Sequence, residues 1–439
     1  MNRRLVLIGG LALTGGGYWL HRTLSEQNRR NPIRIGFLLS EAPDEMAIDA
    51  DIGSGARFAV EEINREGGIE GHPIEIVLGK KCEDTESFRR EARRLIQEDK
   101  VATLLGGGGP ADRRAIGTVV EERNHLLVYA RSYEGLEQSP ATIYVGLVPN
   151  QQVLPAVQFT ITSIGKRVYV VGSRDLYSQV TAELVGRALR SLGGEPVGQR
   201  AIAGPGAPLE EAVQEIAAKR PDVVFNSLAG KANVELVRAL KRRGVGPDVL
   251  PLVSFRMGYD ELADLSGTGT SLADGAFVVG SYFHEIIAER NGTFVGSYQK
   301  RFQELGQVTE ATETAYAAVY LWAQAVREAG SERPVPEAIR QALLDQSFAA
   351  PEGIIAIDPE THHAWRTVRF QQVVKEGMPS RNVWEAKAPL RPAPFPHGHS
   401  QEEWNRFREQ RDKGLTQVGA PHAECRLSLP ALAVRRGVV

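Results

Sequence analysis

The chain has 439 residues, of which 24% are charged and 42% hydrophobic, with a formal net charge of −2. That length exceeds one ordinary core and calls for two domains plus appendages, while near-neutrality excludes a general electrostatic attraction to nucleic acid. Two cysteines, Cys82 and Cys425, are too few for a disulfide framework and leave open one bridge or two free thiols.

Residues 1–32 open with a charged start at Arg3 and Arg4, continue with an apolar, Gly-rich run from Leu5 to Leu20, and leave through a polar segment. The apolar run is short for spanning, and the pattern is that of an export signal peptide or signal anchor. It predicts a periplasmic or otherwise extracytoplasmic location, with membrane anchoring through this segment if it is retained.

From Ile33 to Leu39 the pattern is a buried strand that runs into an acidic loop, Glu41 to Asp51. Ala56, Phe58, Ala59, Val60 and Ile63 then mark a helical face within Gly53 to Ile63, stopped by Gly67 and Gly68. A strand at His72 to Leu78 and a helix at Thr85 to Glu98 follow. The next strand, from Val101, delivers four glycines, Gly106 to Gly109, before Pro110 opens a helix. Such a turn aims helix N–H groups at the crevice where open α/β sheets bind ligands, which makes Gly108, Gly109 and Pro110 candidate ligand contacts and suits an anion. Asn124 to Tyr129 is the next strand, and the β-α-β-α-β order implies a parallel, doubly wound sheet.

The rhythm restarts after Pro149, with strands at Arg167 to Gly172, Pro221 to Asn226, Leu250 to Ser254 and Gly275 to Tyr282. Helices are predicted at Tyr177 to Leu192, Asn233 to Arg243, where Lys241, Arg242 and Arg243 form a solvated basic end, and Ala311 to Ala329. Two α/β units in tandem suggest two lobes sharing a cleft. From about Pro389 the tail reads as a peripheral extension in which Trp404 and Phe407, at helical spacing, dock a short helix.

No nucleophile elbow, HExxH, Walker loop or dinucleotide fingerprint is present, so neither an enzyme nor a bound cofactor is expected. Adjacent His362 and His363 on a strand would point to opposite faces, which favours a structural turn over a metal site. The loop from Tyr129 to Gly135 suits a small polar ligand, since Tyr129 offers a flat wall with a hydroxyl and Arg131 can grip a carboxylate or carbonyl. Its rival is a polar surface loop with Tyr133 buried. Asp175 and Tyr177 hold the matching position in the second lobe, where helix capping competes for Asp175. Tyr282 and Phe283 either wall the pocket or staple the chain's crossover.

Several segments together resemble the type I periplasmic solute-binding proteins, in particular the urea and short-chain amide branch that includes the amide sensor of the amidase operon. They are Glu61 to Gly68 with Gly71 to Glu75, Tyr133 to Gly135, Pro149 to Gln152, Val171 to Ser173, Pro221 to Asn226, Ala315 to Val326, and Ala350 to Arg366. The resemblance covers roughly 33–395. It implies two doubly wound Rossmann-like lobes joined by three crossovers, lobe one being 33–149 plus 281–348, lobe two 150–280 plus 349–390, and 391–439 an extension. It further implies capture of an amide, urea-like or amino-acid-like solute by hinge closure for an ABC transporter permease, or, in the sensor's manner, regulation of a protein partner. Gly108 and Pro110 stand where that branch carries an aromatic residue and a Ser, and Arg131 stands where a small hydroxyl residue is usual. These departures predict a larger or zwitterionic ligand.

Overall fold

The computed structural model describes residues 31–267, 270–303, 306–330, 335–374 and 378–417. Residues 1–30, which hold most of the segment read as an export signal or anchor, Cys425 and the end of the tail lie outside the described residues. The chain begins with β1 (Ile33–Ser40), α1 (Pro43–Arg65), β2 (Ile74–Cys82), α2 (Thr85–Gln97), β3 (Thr103–Gly106), α3 (Pro110–Glu122), β4 (Leu127–Tyr129) and β5 (Thr142–Tyr144). These five strands form one parallel sheet in the order β2-β1-β3-β4-β5.

The chain then continues through α4 (Pro149–Ser163), β6 (Arg167–Ser173), α5 (Leu176–Ser191), β7 (Glu195–Ile202), α6 (Glu210–Lys219), β8 (Val223–Ser227), α7 (Lys231–Arg242), β9 (Leu252–Ser254) and α8 (Tyr259–Leu265). A two-stranded excursion, β10 (Ser266–Gly267) with β11 (Thr270–Ser271), precedes β12 (Phe277–Gly280). Next come α9 (Glu289–Arg301), α10 (Glu310–Ala329), α11 (Pro336–Leu343), β13 (Ser347–Ala350), β14 (Gly353–Ile357), β15 (Ala364–Trp365), β16 (Arg369–Val374), β17 (Met378–Glu385) and α12 (Gln401–Gln417). The second large sheet has the order β17-β16-β12-β9-β8-β6-β7, with β16 and β17 antiparallel.

Each sheet is covered on both faces, as parallel sheets require. Under α1 and α10 the first sheet buries Ile35, Phe37, Ile63 and Trp322, and on its other face α2 and α3 bury Phe88, Leu95, Leu104 and Ile116. The second sheet is enclosed likewise by clusters around Tyr169, Val224 and Leu236, and around Val170, Phe225 and Leu184.

Three departures from the sequence expectation have physical reasons. The segment expected to be an acidic loop is mostly helix, because α1 starts at Pro43 and runs through Gly53 and Gly55. A Cβ at Gly55 would collide with the backbone of Thr312, so this glycine lets α1 and α10 approach closely. The second sheet gains strands that the sequence reading lacks: β7 is a half-exposed edge without a clean apolar run, and β16 carries Gln371 and Gln372 among its apolar residues. Residues 349–390 were expected in lobe two. However, Ala350, Ile355, Ile357 and Ala364 belong to the core beneath α1 and α10, because β13 to β15 fold against it as an antiparallel flap.

The chain passes between the sheets three times, after β5, after β12 and after β15. Arg366, fully buried, joins all three passages. Its Nη1 donates to the Val145 carbonyl at 2.7 Å on the first, its Nη2 donates to Ser281 Oγ at 3.0 Å on the second, and Arg366 itself lies on the third. Glu352 Oε1 at 2.7 Å, Glu313 Oε2 at 3.0 Å and Thr314 Oγ1 at 3.1 Å also accept from it, as does Glu352 Oε2. Burial, reinforced by the charge of Glu352, pushes the Glu313 carboxyl up, and Arg366 opposes that shift.

Trp404 and Phe407 dock α12 as expected. Trp404 is fully buried and donates through Nε1 to the Pro396 carbonyl at 2.8 Å. Among the described residues, no helix is long and apolar enough to cross a membrane.

Candidate functional site

In the first sheet β1 lies between β2 and β3, so chain direction away from the sheet diverges at the β1/β3 boundary. Loops at the carboxyl ends of these two strands therefore open a crevice, the position where doubly wound sheets bind ligands. The second sheet repeats this at β6/β8.

At the first crevice, Asp49 reaches back from α1 and accepts the Ser40 N–H at 2.7 Å through Oδ2, fastening the end of β1 to the helix. Glu45 stands one turn earlier on α1, the spacing that puts two side chains on one helix face. After β3, Gly106, Gly107 and Gly108 have φ of 92°, 123° and 59°, a left-handed run that only glycines adopt without strain. The Gly108 carbonyl accepts Tyr129 Oη at 3.2 Å and Arg131 Nη1 at 3.2 Å. The other principal contact of Arg131 is an ion pair with Glu45.

The glycine turn is not a vacant anion site. Asp112, at the third position of α3, accepts the Gly109 N–H through Oδ2 at 3.2 Å. A Cβ at Gly109 would lie 3.5 Å from Glu45 Oε1 and 3.8 Å from Asp112 Oδ2, so two carboxylates flank this helix end. Burial, with the neighbouring carboxylates adding to it, pushes Asp49 and Asp112 up to about 6. The phosphate-type reading fails because the protein's own anions already answer the helix dipole.

The expected contacts separate into distinct roles. Gly108, Gly109 and Pro110 form the turn itself, with Pro110 exposed and the two glycines buried. Arg131 stands beside them. Tyr129 does not wall an open pocket: it is 1% exposed and supports the turn from beneath, where the Arg113 guanidinium lies 5.0 Å from its ring. Tyr133 is buried as well, stacked on Tyr144 and donating to His363 Nε2 at 2.5 Å, so His363 belongs to a structural cluster.

In the second lobe Asp175 does cap its helix, accepting the Ser178 N–H at 2.8 Å, and its other oxygen pairs with Arg256 Nη1 at 2.7 Å. Arg256 lies 5.0 Å over the Tyr177 ring. Tyr177 donates to Gln152 Oε1 at 2.8 Å, and Gln152 Nε2 donates to the Val279 carbonyl at 3.2 Å, which ties the β6 loop to two of the three passages. Tyr282 and Phe283 are buried and staple the crossover, with Tyr282 donating to Asn291 Oδ1 at 2.8 Å.

Sequence reasoning missed Glu45, Asp49, Asp112 and Arg256 as site groups. The acidic run from Glu41 to Asp51 was the visible signal for the first two; Arg256 carried none. A surface cavity of about 580 Å³ lies elsewhere, lined by Ser54, Arg57, Lys300 and Phe302. Its Arg57 and Arg301 both pair with Glu61, so neither arginine charge is open to a ligand. Among the described residues, no group of three or more His, Cys, Asp or Glu could hold a metal ion.

Residues 33–401 match the family described as periplasmic binding protein domain, and the chain belongs to that family. Solved structures with the same fold include a solute-binding protein of an ABC transporter from R. palustris in complex with 4-hydroxybenzoate. It is 20% identical, has a TM-score of 0.73, and the match covers 82% of this chain and 98% of that one. An ABC transporter substrate-binding protein from Sphaerobacter thermophilus is 18% identical, with a TM-score of 0.73 and coverage of 83% and 100%. A leucine-, isoleucine-, valine-, threonine- and alanine-binding protein from Brucella ovis, in its closed conformation, is 15% identical, with a TM-score of 0.71 and coverage of 82% and 94%.

Proposed function

We propose that this protein is an extracytoplasmic receptor that captures a small polar solute between its two lobes and presents it to the permease of an ABC transporter. The carrying observation is the pairing of two switch-point crevices, one on each sheet, across three chain passages held by one arginine. A solute that touches the Gly108–Arg131 side and the Asp175–Tyr177 side at once favours the closed arrangement by its contacts to both. Gly108 and Gly109 leave no aromatic wall in the first crevice, and Arg131, Asp175 and Arg256 bring charge to the cleft. These features support a charged or zwitterionic solute larger than urea or acetamide.

Isothermal calorimetry of the purified full chain against a panel of amides, amino acids and aromatic acids tests this. The expected result is one-to-one binding with a negative heat-capacity change. A folded protein that binds none of them, or one that fractionates with the cytoplasm, would overturn the receptor reading, and the latter would favour regulation of a protein partner.

A further inference from the structure

The first crevice has an unusual charge balance. Glu45 and Asp112 flank Gly109, Asp49 lies within electrostatic range of both, and the cation set among them, Arg131, is spent on Glu45 and on the Gly108 carbonyl. Asp84 adds a further negative charge beside Asp112. In the second lobe, Arg256 is already paired with Asp175. Fully ionised, Glu45, Asp49 and Asp112 outnumber the one guanidinium by two charges before Asp84 is counted, a balance that favours a cation.

A second observation is independent of that balance. Asp49 is 3% exposed, and while its Oδ2 accepts the Ser40 N–H, its Oδ1 is buried with no hydrogen-bond partner. A buried, unanswered carboxylate oxygen is costly unless something donates to it. The charged groups nearest to this carboxylate in their effect are Arg131, Glu45 and Asp112, the same groups that surround the first crevice. Gly108 and Gly109 themselves bring no side chain to the turn that Glu45 and Asp112 flank.

From these observations we infer that the first crevice receives the cationic end of the solute, an organic ammonium or guanidinium group, on Asp49, Asp112 and Glu45. The inference rests on the solute-receptor reading and narrows it: the solute is a small amine, amidine or zwitterion whose positive group enters the first lobe. An N–H donor there satisfies Asp49 Oδ1 and relieves the repulsion among the carboxylates. A benzoate-like anion in the same place meets uncompensated negative charge and is excluded.

The test uses the full chain with six probes, putrescine, agmatine, L-lysine, acetamide, acetate and 4-hydroxybenzoate, read by thermal shift and calorimetry. At least one of the three cation-bearing probes is expected to bind. Asp49→Asn and Asp112→Asn each weaken that probe more than tenfold. Both substitutions keep an acceptor oxygen for the Ser40 and Gly109 N–H groups, and an unchanged circular dichroism spectrum shows that the variants fold. Glu45→Gln, at the partly exposed rim, supplies a third variant, which removes a carboxylate together with the charge that Arg131 pairs with. If acetamide, acetate or 4-hydroxybenzoate binds and the cation-bearing probes do not, the charge assignment is overturned while the receptor reading stands. Cation binding that all three variants leave unchanged also overturns it, since the positive group then sits elsewhere. If none of the six binds, the charge assignment is overturned, and the receptor reading is decided by the wider panel of amides, amino acids and aromatic acids.

Discussion

Replacing Arg366 with Met removes the cation that holds the three chain passages together while keeping most of the side-chain volume. Glu313 and Glu352, both fully buried, would then face each other with no counter-charge, and the Val145 carbonyl would lose its 2.7 Å donor. Breaking a buried pair from one side costs about 3–5 kcal/mol, because the partner charges stay desolvated. In a body of this size such a loss lowers the melting temperature by about 3–5 °C. The sign of the pH effect follows from the direction of the Glu313 shift. Its folded-state carboxyl is already held above the ordinary range, so the folded state binds more protons than the unfolded one in the window between the two values. Stability from this group is therefore present below the unfolded value and is lost as pH rises through the folded one. Without Arg366 that window widens upward, and the variant should recover part of its stability on acidification to pH 5. Adding Glu313→Gln should recover part of it at neutral pH. Thermal and urea unfolding of the wild type, the single variant and the double variant provide the measurement. A loss below about 1 kcal/mol, or a double variant no more stable than the single, would refute the clamp.

Four further outcomes are expected. Gly108→Ala should destabilise the turn by about 1–3 kcal/mol, since φ is 59° and the new Cβ would stand 2.8 Å from Asp112 Oδ2 and 2.9 Å from Phe88 Cζ. An aromatic at 108 would meet the same obstacle, so ligand choice is better probed at Pro110, which is exposed. Trp404→Ala should cost about 3–5 kcal/mol and free α12 from the second lobe, seen as a lower melting temperature and new proteolysis near residue 400. The ligand-free protein should gain stability from Asp49 on acidification, since burial raises that carboxyl from 3.8 to about 6. The contribution, about 3 kcal/mol at most, is present near pH 4 and lost as pH rises through 6, and Asp49→Asn should abolish that slope in melting curves. Cys82 is buried, and desolvation pushes its thiol up to about 12, so peptide mapping should find it unlabelled by iodoacetamide until the protein unfolds.

Much of the fold was legible because it rests on local patterns. Apolar runs such as Ile33 to Leu39 and Arg167 to Gly172, broken by helical faces and glycine stops, specify alternating strands and helices, and alternation alone implies parallel sheets with covered faces. Strands with mixed polarity, β7 and β16, escaped notice because one is a half-exposed edge and the other carries paired glutamines. The flap of β13 to β15 went to the wrong lobe because an antiparallel meander holds no record of which core it will cover.

For the site, the sequence by itself determined where backbone is bare and which residue types are near it in the chain: the four glycines, Pro110, Arg131, and the acidic run after the first strand. Only the tertiary structure decided what these groups do. Tyr129 became a support because the sheet buries it, and Arg131 became a partner of Glu45 because α1 begins early enough to carry that carboxylate to the turn. Arg366 became the clamp because three passages distant in sequence converge on one guanidinium. Local propensity and periodicity act over a few residues and can be read in order, whereas charge pairing and burial depend on which segments meet, and that is a property of the folded chain alone.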